Sequence, residues 1–209
     1  MKQLPFYPNR EDKPDSCMLA SIRPILEHFD KREYPWEEME ELLGYKPGKV
    51  AWTVQVWTTL ASRGYDIRMI EPFDYKRYQA EGIEFLKEYY KSPKELEWHT
   101  KNSNLLDFRP LLPEFLKTVH HEMRRASLKD VDDLLAEGYF VVVTLNSMIL
   151  NGKPGYVGHM ILIHDKIDGN YIAHDPGLPA FKNRKISPKL LWEAMGGDAH
   201  TAEVTGIKR

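Results

Sequence analysis

Asp15-Ser16-Cys17-Met18-Leu19-Ala20-Ser21-Ile22 opens a helix and places the only cysteine of the chain at its start. Leu19, Ile22, Leu26 and Phe29 recur at helical spacing and form one apolar stripe, so a helix is expected from residue 16 or 17 to about 29, capped by Asp15 or Ser16. Cys17, Ala20, Ser21 and Pro24 form a second line of small residues, along which another part of the chain can approach the helix backbone. Pro24 removes one intrahelical hydrogen bond.

A distant segment completes the pattern. Gly158-His159-Met160-Ile161-Leu162 and Asn170-Tyr171-Ile172-Ala173-His174-Asp175-Pro176 read as two strands joined by a hairpin turn at Asp168-Gly169. Asp175 lies across that hairpin from His159, where it can hold one imidazole nitrogen and fix the tautomer. A strict two-residue turn would set Leu162 opposite Asp175 and put His159 on the other face. The pairing therefore requires a bulge or a wider loop.

The 209 residues are 42% apolar and 29% charged, enough for a buried core in one domain or two joined lobes. A net charge of -2 argues against nucleic acid as a partner, and the basic run of residues 117–129 reads as a solvated helical face. One cysteine makes no internal disulfide. The first eight residues hold no apolar core of leader length, and the run 139–143 is too short to span a bilayer. A soluble, cytoplasmic protein without membrane contact is expected.

Along the chain, residues 4–14 are rich in proline and charge and read as extended. Helices are expected over 35–43, with Pro35 at the first helical position, and over 51–63 with Gly64 at the C-cap, then a short strand at 66–70. Residues 75–125 read as helical with breaks at Ser92-Pro93 and 103–113, and 128–137 as a helix capped by Ser127 and closed by Gly138. Strands at 139–145, 158–166, 170–175 and 202–207 follow, interrupted by a helix at 187–195. Helices then sheet is an α+β order: a mainly helical lobe over 1–137 carrying Cys17, packed on an antiparallel β lobe over 138–209 carrying His159 and Asp175.

Cys17 has two readings. A lone cysteine is commonly a small buried hydrophobe. At a helix N-terminus beside an imidazolium, the thiolate is stabilised and becomes a nucleophile, and free backbone N–H groups there can receive an oxyanion. The position directly after Asp15-Ser16 favours the second. His164 and His174 are conceivable metal ligands with His159, but they read as sitting on alternating faces, with no second cysteine or spaced histidine pair beside them. His120 and His121, adjacent in helical sequence, point apart and do not chelate together. No metal and no cofactor are expected.

Asp15-Ser16-Cys17-Met18-Leu19-Ala20, Gly138-Tyr139-Phe140-Val141-Val142-Val143, Gly158-His159-Met160-Ile161-Leu162, the run from Asp168 to Gly177 and Ile186-Ser187-Pro188-Lys189-Leu190-Leu191-Trp192 together resemble the C39-like branch of the papain-like cysteine peptidases. The resemblance covers 1–70 and 138–195. It implies a papain-like fold with Cys17 as nucleophile, His159 as base and Asp175 as its orienting partner. Two positions depart from the family pattern: Met18 replaces the glycine after the cysteine, and Glu11 stands where the family has its oxyanion-hole glutamine. An ionised glutamate repels a developing oxyanion. Glu11 serves there only if protonated, or the backbone N–H of Cys17 takes over with a second donor such as Asn9.

The function this implies is a cysteine hydrolase cleaving a peptide or other small amide substrate. An acyl transferase using the same three residues is its neighbour. Glu11 motivates a rival of another class, a non-catalytic papain-like module that binds a peptide or ligand in the same cleft. The substrate and the oligomeric state are not legible.

Overall fold

The computed structural model describes residues 4–90, 92–197 and 202–209. The first three residues of the stretch read for a leader lie outside them.

The apolar stripe of the opening segment becomes α1 (Cys17–Asp30), which buries Leu19, Ile22, Ile25 and Leu26 completely. The line of small residues does the job its sizes suggest. Ser21 donates its hydroxyl to the Met160 carbonyl at 3.2 Å, so the helix backbone lies close against β4 (Gly158–Ile167). The ring of Phe29 packs edge-on against Tyr65 and Phe140.

Helices α2 (Trp36–Leu43) and α3 (Val54–Ser62) follow, with Pro35 at the N-cap of α2, one residue earlier than its sequence predicts. Strand β1 (Asp66–Glu71) leads into α4 (Tyr75–Glu81), α5 (Ile83–Tyr90), α6 (Pro93–Asn102) and α7 (Leu112–Thr118). The helical reading of 75–125 fails at its end: β2 (His120–Met123) is a strand parallel to β1. His120 and His121 therefore alternate across a strand, and the local helical texture gives way to pairing with an exposed edge. The basic run of 117–129 is interrupted by this strand, and much of its charge is paired, Arg124 with Glu122 and Asp130, and Lys129 with Asp133.

The rest comprises α8 (Leu128–Ala136), β3 (Phe140–Asn146), α9 (Ser147–Leu150), β4, β5 (Asn170–Asp175), β6 (Phe181–Ile186), α10 (Pro188–Ala194) and β7 (Val204–Lys208). The start of α8 is fixed by the Asp130 carboxylate, which accepts from the Ser127 backbone N–H and hydroxyl, both at 2.7 Å.

Among the described residues, seven strands form one mixed sheet in the order β2-β1-β7-β3-β4-β5-β6. The strands of 138–209 pair antiparallel, as expected, but the sheet does not end with them. Strands β1 and β2, from the helical two-thirds of the chain, extend the sheet beyond β7, and their own pairing is parallel. Side chains alternate across the sheet: Phe140, Val142, Met160 and Leu162 join the core under α1 to α7, while Val141, Val143, Ile161 and Ile163 join a second core with Val131, Leu134 and Leu191 from α8 and α10. Helices thus cover both faces, which is why β3 is a nearly continuous buried run. No helix among the described residues is long and apolar enough to cross a membrane.

Candidate active site

Strands β4 and β5 are joined at Asp168-Gly169, with Ile167 paired to Asn170. From there the register holds to Asp165↔Ile172 and then shifts, giving Ile163↔Ala173 and Leu162↔His174. His164 is the extra residue. One bulged residue reverses the parity of everything beyond it, so His159 and Asp175 share a face. His159 Nε2 lies 2.7 Å from Asp175 Oδ1, with the two side chains only 7% and 3% exposed.

The same bulge overturns the expectation that His164 and His174 point apart. Their rings meet edge to face with centroids 4.6 Å apart. Asn183 joins them, its amide oxygen 3.2 Å from His164 Nε2 and its backbone N–H donating to His174 Nδ1 at 3.4 Å. Burial and the neighbouring His164 press the His174 pKa down to about 4. Among the described residues no group of three or more His, Cys, Asp or Glu is placed to hold a metal ion.

Asp175 accepts on both oxygens. The Gly177 backbone N–H donates to Oδ1 at 3.0 Å, and Arg184 Nη1 reaches Oδ2 at 2.7 Å. Burial raises the carboxyl, but the bonds from His159, Gly177 and Arg184 outweigh it and hold the pKa below the usual carboxylate range. The half-buried Cys17 sits close enough to His159 to bear on its titration. With Nε2 engaged by Asp175, Nδ1 is the nitrogen left for the sulfur. Burial presses the His159 proton off. The Asp175 bond and the neighbouring Cys17 prevail, and the pKa rises to about 9.

The loop before Cys17 differs from its expected role. Ser16 is the N-cap of α1 but makes no capping bond; its hydroxyl oxygen accepts from the Arg10 N–H at 3.1 Å. Asp15 turns away to the Tyr45 hydroxyl and the Gly48 N–H. The first N–H groups of α1 thus keep no side-chain acceptor of their own helix. Asn9 is buried and staples the region: its backbone N–H donates to the Pro176 carbonyl at 2.7 Å and its Nδ2 to the Pro14 carbonyl at 2.8 Å. Glu11 is exposed at the tip of the tight turn closed by Arg10 and Lys13.

All three sequence-derived candidates, Cys17, His159 and Asp175, therefore come together, while Asn9 spends an amide hydrogen on Pro14 and Glu11 faces solvent. Sequence reasoning missed Arg184, because the strand that carries it, Phe181-Lys182-Asn183-Arg184-Lys185-Ile186, has a charged texture that hides it. Comparison with protein-family models and with curated proteins finds no match to this chain.

Proposed function

We propose that this protein is a papain-like cysteine hydrolase of the C39-like kind, acting on a peptide or small amide in the cytoplasm. One observation carries the reading: His159 is held by buried Asp175 and is a near neighbour of Cys17, the first residue of α1. The Cys17 thiolate attacks the amide carbonyl, forming a C–S bond. The uncapped N–H groups of α1 receive the developing oxyanion. The His159 imidazolium gives its proton to the departing amine as the C–N bond breaks, leaving a thioester. Water, deprotonated by the now neutral His159, attacks the thioester; the C–S bond breaks, the acid leaves, and the Cys17 thiolate and His159 imidazolium are restored. If an amine takes the place of water, the same acyl-enzyme yields a transferase. Exposed Tyr156, Val157 and Leu178 flank Gly158 and Gly177 beside the pair, which favours substrates with apolar side chains near the scissile bond.

Glu11 supports a second reading, a non-catalytic module binding a peptide in the same cleft, because a carboxylate stands where the C39-like pattern has its amide donor. Iodoacetamide alkylation at pH 6, with a peptide and amide library assayed on wild type and Cys17→Ala, separates the two. The hydrolase alkylates faster than a free thiol, slows in His159→Ala, and releases product only with Cys17 present. Alkylation no faster than that of free cysteine leaves the binding module.

A further inference from the structure

We propose that Arg184 is a positioning residue: it locks the Asp175 carboxylate so that one oxygen serves His159, and it moderates how strongly Asp175 holds the His159 proton. For activity this rests on the hydrolase reading above; for the titration of His159 it does not.

The geometry divides Asp175 between two cations. Oδ1 goes to His159 and Oδ2 to Arg184, each at 2.7 Å. A carboxylate only 3% exposed is costly to keep ionised without compensation, and histidine alone is a partner that loses its charge. Arginine does not. The guanidinium is itself fixed: Nη2 donates to the Leu150 carbonyl at 2.5 Å, Nη1 to Asn151 Oδ1 at 2.9 Å, and the group stacks over the Phe181 ring at 4.8 Å. It is thereby tied to the end of α9 and cannot follow Asp175 if the carboxylate turns. The sheet puts it there. Arg184 is opposite Ala173, and the register shifts before Asp175 pairs with Phe181.

Cys17 from α1 and Asp175 from β5 are the titratable groups bearing directly on His159, and Arg184 from β6 bears on Asp175. Replacing Arg184 with a neutral side chain leaves the Asp175 charge to His159 alone, so the imidazolium should persist to higher pH. Loss of the lock should also misalign the ring for proton transfer.

The test is the NMR titration of His159, assigned against His159→Gln, with kcat and KM on any hydrolysed amide, in wild type, Arg184→Gln and Arg184→Lys. Arg184→Gln should raise the His159 midpoint by roughly half to one pH unit and lower kcat about tenfold, with KM changed little. Arg184→Lys keeps the charge but not the fork, so its midpoint should return toward wild type while kcat stays depressed. A folded Arg184→Gln with an unchanged midpoint and kcat overturns the proposal. If that variant does not fold, Arg184→Lys with wild-type kcat does so. A wild type whose Cys17 alkylates like a free thiol and hydrolyses nothing sinks the hydrolase reading alone, and the midpoint in Arg184→Gln still decides the role of Arg184.

Discussion

A Cβ built on Gly177 would lie 3.3 Å from His159 Nε2 and 3.1 Å from Asp175 Oδ1, closer than side chains ordinarily pack. The glycine lets the backbone press against the pair while its N–H donates to the same carboxylate oxygen. Gly177→Ala should therefore displace His159 or Asp175 by a few tenths of an ångström. We expect about a tenfold slower alkylation of Cys17 and hydrolysis, with little change in Tm. Kinetics and a melt on the same sample check this; full activity in the alanine variant would mean the pair has slack to give.

Raising the pH should weaken the fold through His159. Its pKa rises from the ordinary 6.5 to about 9 in the folded chain, so the stabilisation is complete below about 6.5 and lost as pH climbs through 9. The Asp175 share runs the other way, present above the ordinary carboxylate range and lost in acid. Urea unfolding from pH 6 to 9.5 should show wild type losing on the order of 3 kcal/mol more than His159→Gln over that range.

Glu203 should be a second alkaline weakness. It is buried in the core, accepting from Trp57 Nε1 at 2.7 Å, Thr53 Oγ1 at 2.7 Å and Thr205 Oγ1 at 2.6 Å. Burial raises its pKa despite those bonds, and burial followed by the Glu203 charge raises that of Glu71 well above normal. Acids with raised folded pKa values stabilise fully at low pH and lose that contribution as pH rises through the folded value. Glu203→Gln should thus gain stability relative to wild type as pH increases. Glu203→Ala should lose roughly 3 kcal/mol at pH 5, since the indole N–H of Trp57 is left buried without an acceptor, and less at pH 8.5, because the titrating carboxyl is gone. Denaturant titrations at pH 5 and 8.5 read both effects.

Glu11→Gln restores an amide at the turn before Cys17. Hydrolysis should rise about tenfold while Cys17 alkylation stays constant, because alkylation develops no oxyanion. Equal hydrolysis rates in the two proteins would place residue 11 outside the reach of the substrate carbonyl.

The helix of Cys17 and the β4–β5 hairpin were readable because local pattern and tertiary need agree there. Leu19, Ile22 and Leu26 repeat at helical spacing and are fully buried, and the parity of His159 against Asp175 demanded an irregularity, which His164 supplies. Where tertiary contacts overrule local texture, the sequence misled. Asp15 has the chemistry of a cap and is used by Tyr45 and Gly48. His120 to Met123 carries no alternating apolar signal and becomes a strand by pairing with β1. The β6 strand is charged because it lies at the border of the sheet, which concealed Arg184.

That border placement has a consequence beyond the site. Backbone groups left open along a flat outer strand can template fibrils by recruiting neighbouring chains. Here one margin, β2, is only four residues long. The other, β6, bears Lys182, Arg184 and Lys185 and is bent at Asn183, whose φ is 55°. The protein thus guards both flanks of its sheet against templated stacking, and one of those guarding cations also reaches inward to the buried carboxylate.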